Sequence, residues 1–146
     1  MKKSIYWLQC GGCGGDSMAL LNTDTPDLPD LCRVLDIDLL WHPSFSNSSA
    51  QEHLSLLDKL RSGKQPLDIL CVEGFVINGP NGSGRYDLFW NRPKKDLLLE
   101  LAAKAKYLVA VGTCAAFGGV GNIGIIEAQG LQFDGANKGG LLGSDY

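Results

Sequence analysis

Ile5-Tyr6-Trp7-Leu8-Gln9-Cys10-Gly11-Gly12-Cys13-Gly14-Gly15-Asp16-Ser17-Met18-Ala19-Leu20-Leu21 decides how this chain is read. An apolar run of strand character, Ile5 to Leu8, enters a loop holding four glycines, two cysteines and an acid. A short run of helical character, Met18 to Leu21, follows it. The glycines let the backbone approach something bulky. The pattern recurs later: Tyr107 to Val111 reads as a strand, then come Gly112-Thr113-Cys114 and small residues. Two strand-to-helix loops that both carry thiols point to one site at the tips of a parallel sheet.

The segments between them agree. Ile37 to Trp41 reads as a second strand, ended by His42-Pro43. Ala50 to Arg61 reads as a helix with Leu54, Leu57 and Leu60 on one face, Ser48 or Ser49 at its start and Gly63 at its end. On that reading His53 lies on the polar face and is solvated. Leu67 to Val72 reads as a third strand, apolar apart from Asp68, as expected of a strand covered on both faces. Glu73-Gly74 stands at its tip. Thr23 to Pro29 is a break, and Leu31 to Leu35 gives a helical turn or two. Pro93 to Lys104 is a further helix. Phe75 to Arg92 is a long excursion through Gly79-Pro80-Asn81-Gly82-Ser83-Gly84, expected to be functional or to contact a partner. From Val120 to Tyr146 no long periodic element is expected. Strands alternating with helices predict an α/β fold, a doubly wound parallel sheet with right-handed crossovers, in one domain spanning 1–146. Cys13, Asp16, Glu73 and Cys114 all follow strand C-termini, where such sheets bind ligands.

Bulk composition narrows the function classes. A net charge of −3 gives no general attraction to nucleic acid or anionic membrane. No apolar run approaches the roughly 20 residues of a spanning helix. Met1-Lys2-Lys3 runs straight into the strand pattern without a signal-peptide core, so a cytoplasmic location is expected. Five cysteines, an odd number, argue against a disulfide framework. Cys32 and Cys71, in apolar surroundings, are expected to be core thiols.

The chemistry at the loops has several readings from the residues alone. Soft thiolates select zinc, copper(I) or iron–sulfur clusters. A structural zinc site would show two close ligand pairs, and here zinc would need Asp16 or Glu73 as well. A cluster needs room, which the glycines give, and its ligands can be far apart in sequence. Asp16 also reads as an N-cap of the following helix. The glycine loop could cradle the phosphate of a flavin or nucleotide, although it matches neither GxxxxGK(S/T) nor GxGxxG. Glu73 could bond backbone amides at the strand tip.

Four stretches together resemble the small, electron-transferring subunit of [NiFe] hydrogenases. They are Trp7-Leu8-Gln9 with the glycine–cysteine loop and Ser17 to Leu21, Cys71-Val72-Glu73-Gly74, Gly79 to Arg85, and Gly112-Thr113-Cys114-Ala115-Ala116-Phe117-Gly118-Gly119. The resemblance implies a flavodoxin-like domain with a proximal iron–sulfur cluster, [4Fe-4S], at the strand tips. It implies ligation by a C-x-x-C pair, by the cysteine of G-T-C and by a cysteine in a later G-C-P motif. Two registers fit. Cys10 and Cys13 form a C-x-x-C. Alternatively Cys13 takes the first place and Asp16 the second, because the family's second cysteine is followed directly by Ser or Thr and the helix. The second register gives Cys13, Asp16 and Cys114 as ligands, with Cys10 as the alternative. It is similar to the oxygen-insensitive, high-affinity, actinobacterial-type group. Gly15 and Gly119 stand where the oxygen-tolerant membrane-bound type has extra cysteines.

The G-C-P motif and the family's C-terminal cluster domain are not found, so the resemblance places the fourth ligand beyond Tyr146 and reads the chain as truncated. It puts the NiFe centre in a large-subunit partner and hydrogen oxidation there. This chain then passes electrons on and is not itself catalytic. Glu73 matches a family glutamate near the interface and is a candidate relay for protons or electrons. A higher oligomer of heterodimers, a quinone among the downstream acceptors and peripheral membrane association through partners are further expectations. Two other readings are a flavodoxin-like flavin- or phosphate-binding module and the cluster subunit of a related quinone-reducing complex, whose first loop carries adjacent cysteines that this chain lacks.

Overall fold

The computed structural model describes residues 2–121 and 124–145. Met1, residues 122–123 and Tyr146, which fall in the expected strand entry and glycine-rich tail, lie outside the described residues. In chain order the elements are β1 (Lys3–Gln9), α1 (Gly15–Leu21), α2 (Leu28–Val34), β2 (Ile37–Trp41), α3 (Ala50–Arg61), β3 (Leu67–Glu73), the short β4 (Val76–Ile77), the hairpin strands β5 (Leu88–Phe89) and β6 (Arg92–Pro93), α4 (Lys94–Ala102), β7 (Ala105–Val111), α5 (Gly112–Phe117), and the two-residue strands β8 (Ala128–Gln129), β9 (Phe133–Asp134) and β10 (Asn137–Lys138). The main sheet is parallel, in the order β2-β1-β3-β7. This is the flavodoxin-like doubly wound arrangement expected.

Alternation along the strands sends side chains to two faces. Tyr6, Leu8, Leu70 and Val72 pack with Leu57 and Leu60 of α3 and with Leu97, Leu98 and Leu101 of α4 in the larger core. Each fully buried leucine there contributes about 1.5–3 kcal/mol. Ile5, Trp7 and Cys71 form a smaller cluster on the other face with Leu20 of α1. The helices of that face do not cover β7, where Tyr107 is 65% and Val109 42% exposed. The expectation that the third strand is covered on both faces holds for β3.

Local chemistry sets the helix ends. Ser49 and Glu52 form a capping box that starts α3 where expected. Asp27 caps α2 by accepting from the Asp30 N–H, and Pro29 sits in the first turn, so this helix starts earlier than the leucine pattern indicated. Asp16 is not an N-cap. That position belongs to Gly14, in the left-handed conformation, and Asp16 lies within the first turn of α1. His53 is not solvated either. It is 4% exposed, its ring stacks on Trp41 at 3.5 Å, and its Nε2 lies 2.7 Å from the Tyr6 hydroxyl. Burial pushes its imidazole down to about 4, so it is neutral at pH 7.

Asp68 ties three strands together at the opposite end of the sheet from the ligand loops. Its carboxylate accepts from Lys106 Nζ at 2.6 Å on β7 and from the Ser4 N–H at 3.0 Å on β1. The Lys106 bond, helped by Ser4, holds its pKa at about 2, against an ordinary 3.8. A depressed carboxyl stabilises the fold fully above its unfolded pKa and loses that contribution as pH falls through the folded one. Asp68→Asn is therefore expected to lower the urea midpoint at pH 7, and the gap to wild type to close between about pH 4 and pH 2. Urea titrations at pH 7 and pH 3 check this.

Candidate metal centre

β1 leads to β2 on one side, and the chain returns to β3 on the other, so strand order reverses between β1 and β3. Such crevices bind ligands beyond the strand C-termini. The last residues of the two strands, Gln9 and Glu73, face each other. Beyond them the chains stay joined. The Cys10 N–H donates to the Glu73 carbonyl at 2.7 Å, and Gly11 and Phe75 exchange both backbone bonds at 2.9 and 2.7 Å. Gly74 makes this close approach possible, with φ of +86° and a site for Cβ only 2.3 Å from the Gly11 carbonyl oxygen. Gly74→Ala combines the left-handed penalty with a backbone clash and is expected to destabilise the fold by about 2–4 kcal/mol. Chemical denaturation measures it directly.

One cavity at this crevice is lined by Gln9, Cys13, Asp16, Glu73 and Cys114. Three separate segments supply those side chains: the β1–α1 loop, the tip of β3 and the first turns of α5. The cavity is cradled by glycine. A Cβ on Gly112 would lie 2.3 Å from Asp16 Oδ2, and one on Gly119 would lie 2.5 Å from Cys114 Sγ. Larger residues there would displace the donors.

The other thiols lie elsewhere. Cys10 is 8% exposed and belongs to the larger core. Burial pushes its thiol up to about 12, with Lys94 opposing the rise and Asp87 adding to it. Cys71 is likewise pushed up to about 12 by burial and then by Cys32, and burial raises Cys32 itself. Thiols held this far up stay protonated at neutral pH, and the thiolate is the metal ligand. Cys13 is exposed and Cys114 half-buried.

Behind the cavity stands a buried polar group that spacing did not reveal. Glu73 Oε1 accepts from the Ser17 N–H at 2.9 Å. Its Oε2 accepts from the Ser17 hydroxyl at 2.5 Å and from the Trp7 indole N–H at 3.0 Å. Ser17 Oγ lies 3.1 Å from His42 Nε2. Trp7, Ser17, His42 and Glu73 are all 4% exposed or less. Burial alone would raise the Glu73 carboxyl. The bonds from Ser17 and Trp7, with His42 nearby, outweigh it and hold the group below the ordinary range. Glu73 thus serves as a cap for α1 supplied by β3, one of the roles expected of it.

The donor set is two thiols and a carboxylate. Among the described residues no three His, Cys, Asp or Glu side chains come close enough to hold a single metal ion. A lone zinc draws its ligands to about 2.0–2.3 Å from one point, which these side chains as placed do not offer, and the cavity they line, about 20 Å³, has room for about one water.

Known proteins share the sequence and fold of this chain. Residues 13–138 match the family described as NADH ubiquinone oxidoreductase, 20 Kd subunit. The F420 non-reducing hydrogenase II small subunit of Methanosarcina mazei is 33% identical over 129 residues, covering 80% of this chain and 33% of that protein. The structure of the reduced, active Ni-Fe-Se hydrogenase from Desulfomicrobium baculatum superposes with a TM-score of 0.77 at 26% identity, over 90% of this chain and 50% of that one. An actinobacterial-type NiFe-hydrogenase from Ralstonia eutropha H16 superposes with a TM-score of 0.77 at 24% identity, over 94% of this chain and 46% of that one, and shows the fold alone. The chain spans about a third of the length of the curated relatives it matches. With the parallel sheet, the loops at its switch point and a family match over most of its length, the chain belongs to the family of the 20 Kd subunit of NADH ubiquinone oxidoreductase and is similar in sequence and fold to hydrogenase small subunits.

Proposed function

We propose that this chain is the electron-transfer part of a [NiFe] hydrogenase small subunit, with Cys13, Asp16 and Cys114 holding a proximal iron–sulfur cluster. The observation that carries the reading is the convergence of those three donors on one glycine-cradled cavity at the switch point of the sheet. When bound, a cluster supplies a one-electron store between a hydrogen-splitting site and an acceptor. The chain's own part is to fix the donors, keep Cys10 out of the site, and place a buried carboxylate behind it. Three donors leave one iron of a [4Fe-4S] cluster to a further ligand, which the family resemblance puts in a G-C-P segment.

The partner in this reading is a large subunit with the NiFe centre. The loop between β4 and β6 presents Tyr86, Leu88 and Trp90, and the segment after α5 presents Val120 and Ile125, all about half or more exposed. They are the contact surface expected for that partner. Hydrogen oxidation at high affinity, a higher oligomer of heterodimers and a quinone as acceptor extend the proposal, as does a cytoplasmic place with peripheral membrane association through partners. Hydrogen uptake at trace concentrations, native mass and cell fractionation test them in turn. The matched family favours a second reading, the cluster subunit of a quinone-reducing complex. Against it stands the single cysteine at each donor position of the first loop.

Iron and acid-labile sulfide analysis of the purified complex, with EPR after mild reduction, tests the main reading. Stoichiometric iron and sulfide with a nickel-containing partner is the expected result. Bound flavin without iron would transfer the assignment to a flavin module.

A further inference from the structure

We propose that His42, which lies outside the cavity, is a positioning residue for it: through Ser17 it holds Glu73 on the cavity wall and the Asp16-bearing turn of α1 against β3. The inference rests on the cluster reading for its functional consequence and on hydrogen-bond geometry for its substance.

The direction of every bond in this chain is fixed. An ionised carboxylate only accepts, so the single Ser17 hydroxyl proton goes to Glu73 Oε2 at 2.5 Å. His42 Nε2, 3.1 Å from Ser17 Oγ, must then carry a hydrogen and donate it. That leaves a lone pair on Nδ1, and the Ser44 N–H fills it at 3.1 Å. Two separate contacts therefore select the same tautomer. The ring cannot swing, because it lies between Trp7 and Phe45 with centroids 4.8 Å from each. Its backbone is locked as well. The His42 N–H donates to Ser46 Oγ, and the Ser46 N–H donates to the His42 carbonyl, both at 2.9 Å.

All donors in the series point toward Glu73, and the far end is a backbone amide. An amide does not release its proton on a turnover timescale, and His42 is 0% exposed. A proton arriving at Glu73 has no exit along this path. Along this path the chain is thus an anchor and not a conduit. Donors in series polarise one another. With His42 in place, Ser17 bonds Glu73 more strongly and draws its charge away from the cavity. Without that donor more negative charge faces the cluster, which becomes harder to reduce.

The purified complex carrying His42→Phe keeps a ring between Trp7 and Phe45 and removes the donor. His42→Gln restores an N–H near the Nε2 position. His42→Phe is expected to lower the cluster midpoint potential in an EPR-monitored redox titration and to raise amide hydrogen exchange at Ser17 about tenfold, the value of one hydrogen bond. His42→Gln should remain within about twofold of wild type in exchange and keep the wild-type potential. His42→Phe with wild-type exchange and potential overturns the proposal, as does a His42→Gln variant as perturbed as His42→Phe. If His42→Phe fails to assemble, His42→Met, which also removes the donor and leaves Ser17 intact, takes its place with the same expectations and the same overturning result. A wild-type complex without iron and sulfide would remove the cluster reading alone, and the exchange comparison would still decide the anchor.

Discussion

Glu73→Ala is expected to destabilise the folded chain by about 3–5 kcal/mol, the largest stability effect of any single side chain at the site. The carboxylate serves three donors at once: the Ser17 N–H, the Ser17 hydroxyl and the Trp7 indole N–H. All three residues that take part are buried. Alanine leaves the donors in place and removes their only acceptor. Each buried unsatisfied donor costs about 1–3 kcal/mol, and partial rescue by entering water keeps the sum below the simple total. The Ser17 hydroxyl cannot turn to His42 as an acceptor without reversing the tautomer and setting Nδ1–H against the Ser44 N–H. Against a typical total stability of about 5–15 kcal/mol, the loss is a large fraction. For a chain of this size it corresponds to a drop in Tm of roughly 6–20 °C. Glu73→Gln is expected to cost less, about 1–3 kcal/mol, because one amide oxygen still accepts while the amide N–H₂ meets a facing donor. The pH dependence follows from the lowered carboxyl. Its contribution is complete above the unfolded glutamate value of about 4.3 and is lost as pH falls through the lower folded value. The Tm gap between wild type and Glu73→Ala should therefore be full at pH 7 and narrow below about pH 4. Calorimetry at both values measures it, and a gap independent of pH would show that Glu73 is not held as a buried anion.

Much of this architecture was legible because local signals and tertiary packing agree. Ile37–Trp41 and Ala50–Arg61 have the limits that their apolar pattern and caps indicated, since a capping box and a strand apolar apart from Asp38 leave little choice. That Cys13, Asp16 and Cys114 line one cavity was legible because they follow strand ends, and topology gathers strand ends. What escaped was side-chain placement that only packing decides. His53 falls on the same helix face as Leu57 and Leu60, four and seven residues on, so its spacing already marked a buried position. Its polarity masked that signal. His42 read as the end of a strand, and Ser17 as a helix-start residue; nothing in the spacing links Ser17 to His42, 25 residues on, or to Glu73, 56 residues on. The two-residue strands β8 to β10 have no periodicity to read. They are set by contacts such as the Leu131 N–H with the Ala115 carbonyl at 2.7 Å.

The five cysteines should separate cleanly on substitution. Cys13→Ser and Cys114→Ser are expected to lose the visible absorption, the EPR signal and the bound iron of the purified complex, and hydrogen-dependent acceptor reduction should fall by more than about 100-fold. That figure is a lower bound, since residues merely supporting a ligand already change metal affinity by about 10–100-fold. Cys10→Ser should keep iron, sulfide and EPR signal. Its thiol lies in the larger core and is pushed up to about 12 by burial, so it is neither at the cavity nor available as thiolate. Its cost should instead appear in stability, as a buried hydroxyl replaces a thiol in an apolar setting, at roughly 1–3 kcal/mol. Asp16→Cys completes the test. In the Cys13–Asp16 register it converts C-G-G-D into a C-x-x-C and should alter the EPR signature while retaining four-iron stoichiometry. In the Cys10–Cys13 register it should change nothing, while Cys10→Ser should empty the site. The two registers thus predict opposite outcomes for the same pair of variants. The Cys13–Asp16 register is proposed because the cysteine three residues before Cys13 packs in the larger core, while the residue three after it lies in the first turn of the helix that Glu73 holds at the cavity.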